Sequence, residues 1–286
     1  MYKGGKTETH IGDALATLFG EEMDNPDESK HPFILTKVWR SWHGYEDTKI
    51  CLRRSLKRLK IKQADLVLIH WPGPGYKTIN RSKELIEKYG VEYYIKEGHE
   101  DYAKLRLETW RALEDAVLKT KQCRSIGVSN FTIEHLKKLL EWKDLRVKPA
   151  VNQIEMHPYY PQTELRKFCQ ENDITVQAYS SLGGQDSSSI DYNERLKQPP
   201  LLKNPVVIKI ASEVKKTTAQ ILLRWAIQHG ASVIPKASSR ERILENIKVL
   251  DFSLSKKQMD ALDGLDCGVA GRLTWRRDPM RNLEFQ

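Results

Sequence analysis

Residues 66–71 read LVLIHW, an almost unbroken apolar run closing on a histidine and a tryptophan. A strand buried on both faces has this composition, because helices cover a parallel sheet above and below. Outward from it the same grammar repeats. FILTKVW (33–39) precedes it, and SIGVSNF (125–131), VNQIEM (151–156), TVQAYS (175–180) and SVIPKAS (232–238) follow. Helical patterns separate them, at about 47–59, 109–117 (TWRALEDAV), 132–142, 163–171, 218–228 and 240–248. Strands alternating with helices predict a parallel sheet built from βα units. IGDALATLF (11–19) reads as a helix ahead of the first strand. Gly230 is placed as a C-terminal stop, and Ser255 with Gln258 forms a capping box that opens a last helix. Two polar segments, from Gly73 to about Tyr102 and across 183–204, exceed a simple connection, and 271–286 is an irregular basic tail.

Six strands are read in this way, where a closed (β/α) barrel has eight. The reading is an α/β chain of the (β/α)8 TIM-barrel type with its first two strands missing, forming one domain over residues 1–286. The composition agrees: 40% hydrophobic and 30% charged residues are ordinary for a globular domain, and no run approaches a membrane span. MYKGGKTETH has no apolar core and does not read as a secretory signal. Cys51, Cys123, Cys169 and Cys267 are scattered without metal-ligand spacing, so free thiols and a cytoplasmic, metal-free protein are expected. The net charge of +9 is densest in LRRSLKRLKIK (52–62). Its apolar positions Ile50, Leu52, Leu56 and Leu59 make it the wet face of an amphipathic helix rather than a nucleic-acid or membrane patch.

Neither GxGxxG nor a P-loop occurs, so a nucleotide would have to bind at the C-terminal ends of the strands. Those ends carry a polar series: Lys37, His70, Ser129 with Asn130, Gln153, Tyr179 with Ser180, and Lys236. Singly, a histidine beside a tryptophan reads as a satisfied core residue and a lysine at a strand end as a snorkelling surface residue. A series at successive strand ends reads as a site.

The blocks LTKVW, DLVLIHWP, RSIGVSNF, VNQIEMHPY, QAYSSLG and IPKASSRERILEN, in this order, resemble the aldo-keto reductases over nearly the whole chain. The resemblance implies hydride transfer from NADPH to an aldehyde or ketone, with a tyrosine as proton donor. An ordinary tyrosine, with a pKa of about 10, exchanges protons near neutrality only if a neighbouring ammonium lowers it. Lys37 matches that lysine and His70 the histidine that orients the substrate carbonyl, with Trp71 beside it on the substrate. Ser129, Asn130 and Gln153 match the contacts to the nicotinamide carboxamide, and Tyr179 the aromatic that stacks on its ring. Ser180 and Leu182 match pyrophosphate positions. Lys236, Ser238, Ser239, Arg242, Glu245 and Asn246 match the adenosine 2′-phosphate pocket, which favours NADPH over NADH. Two departures stand out: Ser181 replaces a usual proline, and Ala237 a usual serine.

The family's glutamate-x-x-hydrophobic-glycine pattern falls on Glu8, Ile11 and Gly12, which leaves Tyr2 as the only tyrosine upstream for the catalytic role. The aspartate that pairs with the lysine would precede Met1, so the sequence reads as a shortened form of a longer enzyme. A monomer acting on a small carbonyl compound is expected. The alternative is a catalytically impaired NADPH-binding or regulatory subunit on the same fold. Substrate choice would lie in 73–105, 183–204 and 266–286, with Tyr76 and Trp275 among their aromatic residues.

Overall fold

The computed structural model describes residues 2–20, 31–73, 99–184 and 196–274, the side chains of 2–3 and 99–102 excepted. The chain divides into two compact units, Met1–Val151 and Asn152–Arg277.

In the first unit β1 (Leu35–Val38), β2 (Ala64–Ile69) and β3 (Cys123–Ser129) lie side by side in chain order. All are parallel, with Lys37 opposite Leu68 and Leu68 opposite Gly127. Every residue of β2 is buried, as its unbroken apolar run predicts. The helices are α1 (Lys6–Phe19), α2 (Tyr45–Leu59), α3 (His99–Leu118) and α4 (Ile133–Leu140). Gly127 is required by close approach: a Cβ there would stand 2.5 Å from the Val151 carbonyl oxygen. Trp110 of α3 is wholly buried and donates its indole N–H to the Val147 carbonyl at 3.1 Å.

Helix α1 starts five residues before the stretch read from apolar spacing, because its first turn buries a charge rather than a hydrophobe. Glu8 accepts from the Thr36 hydroxyl at 2.6 Å and from Arg58 Nε at 2.8 Å. Burial raises the carboxyl's pKa, and these hydrogen bonds outweigh it, so the net shift is downward. One turn on, a Cβ at Gly12 would meet the Arg58 carbonyl at 2.2 Å, so this glycine lets α1 lie against the end of α2. On α2 itself Leu52, Leu56 and Leu59 are buried while Arg53, Arg54 and Lys57 are exposed, as the amphipathic reading has it. Arg58 departs from that reading, since it leaves the wet face to pair with Glu8 at 2.6 Å.

The second unit holds β4 (Val151–Glu155) apart from its first residue, β5 (Thr175–Tyr179) and β6 (Ser232–Val233), adjacent in that order. Its helices are α5 (Thr163–Glu171), α6 (Pro205–Val214), α7 (Thr218–Gln228), α8 (Arg240–Ile247) and α9 (Lys256–Asp263). β6 is far shorter than the expected 232–238. Ile234 N–H still donates to the Ala178 carbonyl at 3.3 Å, but Pro235 has no N–H to continue the ladder. Helix α6 was not anticipated, although its signal is plain: Asn204 caps it by accepting from Val206 N at 2.9 Å, and Pro205 stands at its first position. The Ser255–Gln258 capping box forms as read, and Gly230 follows α7 with φ 80°.

Six strands stand among the described residues. Cys51, Cys123, Cys169 and Cys267 are free, and burial pushes the thiols of Cys123 and Cys169 up to about 12 and about 11, which keeps them unreactive. No helix among the described residues is long and apolar enough to cross a membrane.

Candidate active site

The first unit places two titratable groups at the ends of neighbouring strands. Lys37 lies on β1, and His70 just after β2, where its N–H donates to the Val38 carbonyl at 3.1 Å. Lys37 is 9% exposed and His70 6%. Loss of solvent pulls the lysine down to about 8. Burial, then the charges of Lys37 and Arg40, hold the histidine down at about 2, so His70 is a neutral imidazole throughout the physiological range. Trp39 meets its ring edge-on at 4.9 Å and Trp71 stacks at 6.2 Å, giving the imidazole aromatic walls.

The turn that carries His70 is fastened at three successive carbonyl oxygens. Asn130 Nδ2 donates to that of His70 at 3.0 Å, His43 Nε2 to that of Trp71 at 3.0 Å, and Arg106 Nε to that of Pro72 at 2.8 Å. Thr109 Oγ1 lies 3.2 Å from the other nitrogen of His43. Asn130 also donates to Ser129 Oγ at 3.1 Å and has φ 63°, a left-handed turn placed at the end of β3. Sequence reasoning singled out Asn130 for another purpose and missed His43, Arg106 and Thr109. They sit in helices and loops far along the chain, and only the fold brings them to one turn.

In the second unit Gln153 is buried, and its amide donates to Gln177 Oε1. Tyr179 is half-buried at the end of β5, with its hydroxyl 3.0 Å from Thr274 Oγ1. Ser180 then takes φ 54°, and Gly183 N donates back to its carbonyl at 2.8 Å, with half-buried Leu182 inside that turn. Ser181, where the family pattern has proline, is buried and donates its hydroxyl to the Ala178 carbonyl at 3.3 Å. A hydrogen bond thus fastens the turn that a proline ring would stiffen.

Further along, Lys236 and Ser238 are exposed on the segment between β6 and α8. Ser239 caps this helix, accepting from Arg242 N at 3.3 Å. Arg242 is exposed in the first turn. Glu245 is half-buried and accepts from the Thr217 hydroxyl at 2.6 Å, which ties α8 to the start of α7, while Asn246 is half-buried beside it. Two solvated cations near a capped helix N-terminus suit a phosphate monoester. The side chain of Tyr2 lies outside the described residues, as do Tyr76 and Trp275; the Tyr2 backbone belongs to a 3-10 turn, Tyr2–Gly5, that leads into α1.

Parallel βα units with polar residues at the strands' C-terminal ends are consistent with the (β/α)8-barrel class, whose enzymes keep their sites at those ends. The model of the Aldo/keto reductase family matches residues 1–266, and the chain belongs to that family. It is 39% identical to the glyoxal reductase of Bacillus subtilis over 234 residues, which are 82% of this chain and 68% of that protein. It is 36% identical to the NADPH-dependent D-xylose reductase of Meyerozyma guilliermondii over 273 residues, 95% of this chain and 83% of the other. The Bombyx mori aldo-keto reductase solved in complex with NADP superposes with a TM-score of 0.73 at 29% identity, covering 96% of this chain and 78% of the silkworm protein.

Proposed function

We propose that this chain is an NADPH-dependent carbonyl reductase that converts a small aldehyde or ketone to the alcohol. The observation that carries the reading is the corner made by Lys37 and His70: a buried ammonium of lowered pKa beside an imidazole held neutral. A buried ammonium of lowered pKa next to a buried neutral imidazole at neighbouring strand ends is the arrangement a proton-transfer site needs.

The cofactor fits the residues present. Lys236 and Arg242 stand exposed at a capped helix start, ready for the 2′-phosphate, and the left-handed residues Asn130 and Ser180 turn the chain at two strand ends. In this reading Lys236, Ser238, Ser239 and Arg242 hold the adenosine 2′-phosphate, and Glu245 and Asn246 line the same adenosine pocket. Ser180 and Leu182 take the pyrophosphate, Ser129, Asn130 and Gln153 the carboxamide, and Tyr179 the nicotinamide face. NADPH, when bound, supplies the hydride.

His70, neutral, donates a hydrogen bond to the substrate carbonyl and stabilises the oxygen as it gains negative charge. Lys37, charged below about pH 8, lowers the pKa of the tyrosine that protonates that oxygen. Tyr2 is assigned as this tyrosine. Trp71, stacked against His70, walls the substrate. Oxidation of NADPH by the purified chain with an activated aromatic aldehyde tests the reading. Tight NADPH binding without turnover would instead assign a binding role.

A further inference from the structure

Glu155, inside the block VNQIEMHPY, has no part in the mechanism above, yet it is among the most heavily hydrogen-bonded side chains of the second unit. It is 2% exposed. His157, wholly buried, approaches Oε1 with Nε2 at 3.0 Å, and Leu273 N donates to the same oxygen. Thr274 N donates to Oε2 at 2.8 Å, and the Thr274 hydroxyl donates to Oε2 as well. Burial raises the carboxyl's pKa, but His157 and the Thr274 and Leu273 donors lower it by more, so the group is an acceptor at neutral pH. Four donors on one buried carboxylate fix Leu273 and Thr274 firmly.

Close packing fixes the same segment independently. A Cβ on Gly271 would fall 1.6 Å from the Tyr159 carbonyl oxygen, and Cys267 N donates to that oxygen at 3.1 Å. A Cβ on Gly184 would stand 2.4 Å from the Leu273 side chain. Residues 267–274 are therefore seated against the loops that follow β4 and β5.

Proton counting gives the cluster a direction. A threonine hydroxyl has one hydrogen, and that of Thr274 goes to Glu155. The contact between Tyr179 and Thr274, at 3.0 Å, must then have Tyr179 as donor. The chain runs from Tyr179 O–H to Thr274 Oγ1, and from Thr274 O–H to Glu155 Oε2. A half-buried ring pinned at its far end cannot tilt freely.

We propose that Glu155 and Thr274 are positioning residues for the cofactor: acting through the Tyr179 hydroxyl, they set the plane of the ring on which the nicotinamide lies. This rests on the assignment of Tyr179 as the nicotinamide platform. It also makes the seating of 267–274 a condition for a well-placed nicotinamide, so the segment and the cofactor ring are coupled without touching.

The test uses Thr274→Val, which keeps the shape and removes the hydroxyl, and Thr274→Ser, which keeps the hydroxyl, in the full chain. Quenching of protein fluorescence by NADPH is compared with quenching by 2′,5′-ADP, which lacks the nicotinamide. The relay predicts that Thr274→Val weakens NADPH binding by about three- to tenfold and perturbs the nicotinamide absorbance band of the bound cofactor. Binding of 2′,5′-ADP should change by less than about twofold, and Thr274→Ser should restore most of the loss. Glu155→Gln, which turns one acceptor into a donor facing backbone N–H groups, should act in the same direction. Equal weakening of both ligands would reveal a general structural role and overturn the proposal. So would a Thr274→Val chain that keeps the parent's NADPH affinity and absorbance band. If the parent chain itself binds NADPH no better than 2′,5′-ADP, the platform assignment fails first, and the relay with it.

Discussion

The Lys37–His70 corner and the Lys236–Arg242 arm are both cationic, and solvent makes them opposites. At the corner the charge is nine-tenths hidden from water, and the environment rewrites the chemistry: the ammonium falls to about 8 and the imidazole to about 2. On the arm both cations stand in water. Buried charge alters reactivity at a cost in stability, whereas solvated charge attracts and orients an anion at little cost. One set of residues suits a reaction and the other suits a grip.

The comparison would break most visibly at His70. His70→Ala should lower turnover at saturating NADPH and aldehyde by at least about a hundredfold, because a donor aimed at the developing oxyanion is lost. NADPH affinity, set on the arm, should change little. A variant that turns over like the parent would remove His70 from the reaction.

The next effect concerns the arm. Lys236→Met should erase most of the preference for NADPH over NADH, a loss of about 1.5–3 kcal/mol, since charge-assisted hydrogen bonds have that size. Parallel titrations with the two cofactors check it, and equal affinities in the parent chain would refute the premise.

Stability sharpens the contrast further. Lys37 has a folded pKa of about 8 against an ordinary value of 10.5. The unfolded chain therefore binds more protons between those values, and stability must rise with pH across that window. The penalty is fully present below about pH 8 and gone above about 10.5, with an upper bound of about 3–4 kcal/mol. Lys37→Met should thus melt higher than the parent at pH 7, and the gap should close as pH approaches 10.5. Denaturant midpoints at several pH values decide this, and a lower midpoint for the variant at pH 7 would contradict it.

The smallest effect is in the pH profile of kcat/KM for NADPH, which reports the free enzyme. It should fall as pH rises through about 8, where Lys37 loses its proton, and show no inflection near 6.5, because His70 is already neutral there. An inflection near 6.5 that disappears in His70→Gln would overturn the neutral-imidazole assignment.

What the sequence shows and what it hides follows the range of the interactions. The six strands are legible because burial on two faces leaves continuous apolar runs, as in β2. Lys37, His70, Ser129 and Tyr179 stand out as candidates because they interrupt or end such runs. The length of β6 is misjudged because apolar content outvotes Pro235, which ends the ladder. Helix α6 is passed over although Asn204 and Pro205 mark its start. What leaves no local mark is the support. Arg106 reaches the Pro72 carbonyl 34 residues away, and Leu273 reaches Glu155 across 118. Nothing in the spacing of a single chain announces such a pair.

The most direct test of the division between reaction and grip is to make Lys37→Met and Lys236→Met separately and measure NADPH affinity and single-turnover aldehyde reduction for each. The account predicts that Lys37→Met binds NADPH within about twofold of the parent and loses at least about a hundredfold in turnover. It predicts that Lys236→Met binds NADPH at least about tenfold more weakly and turns over almost normally once saturated. If each substitution depresses binding and turnover together, the two regions do not divide the work and the account is wrong.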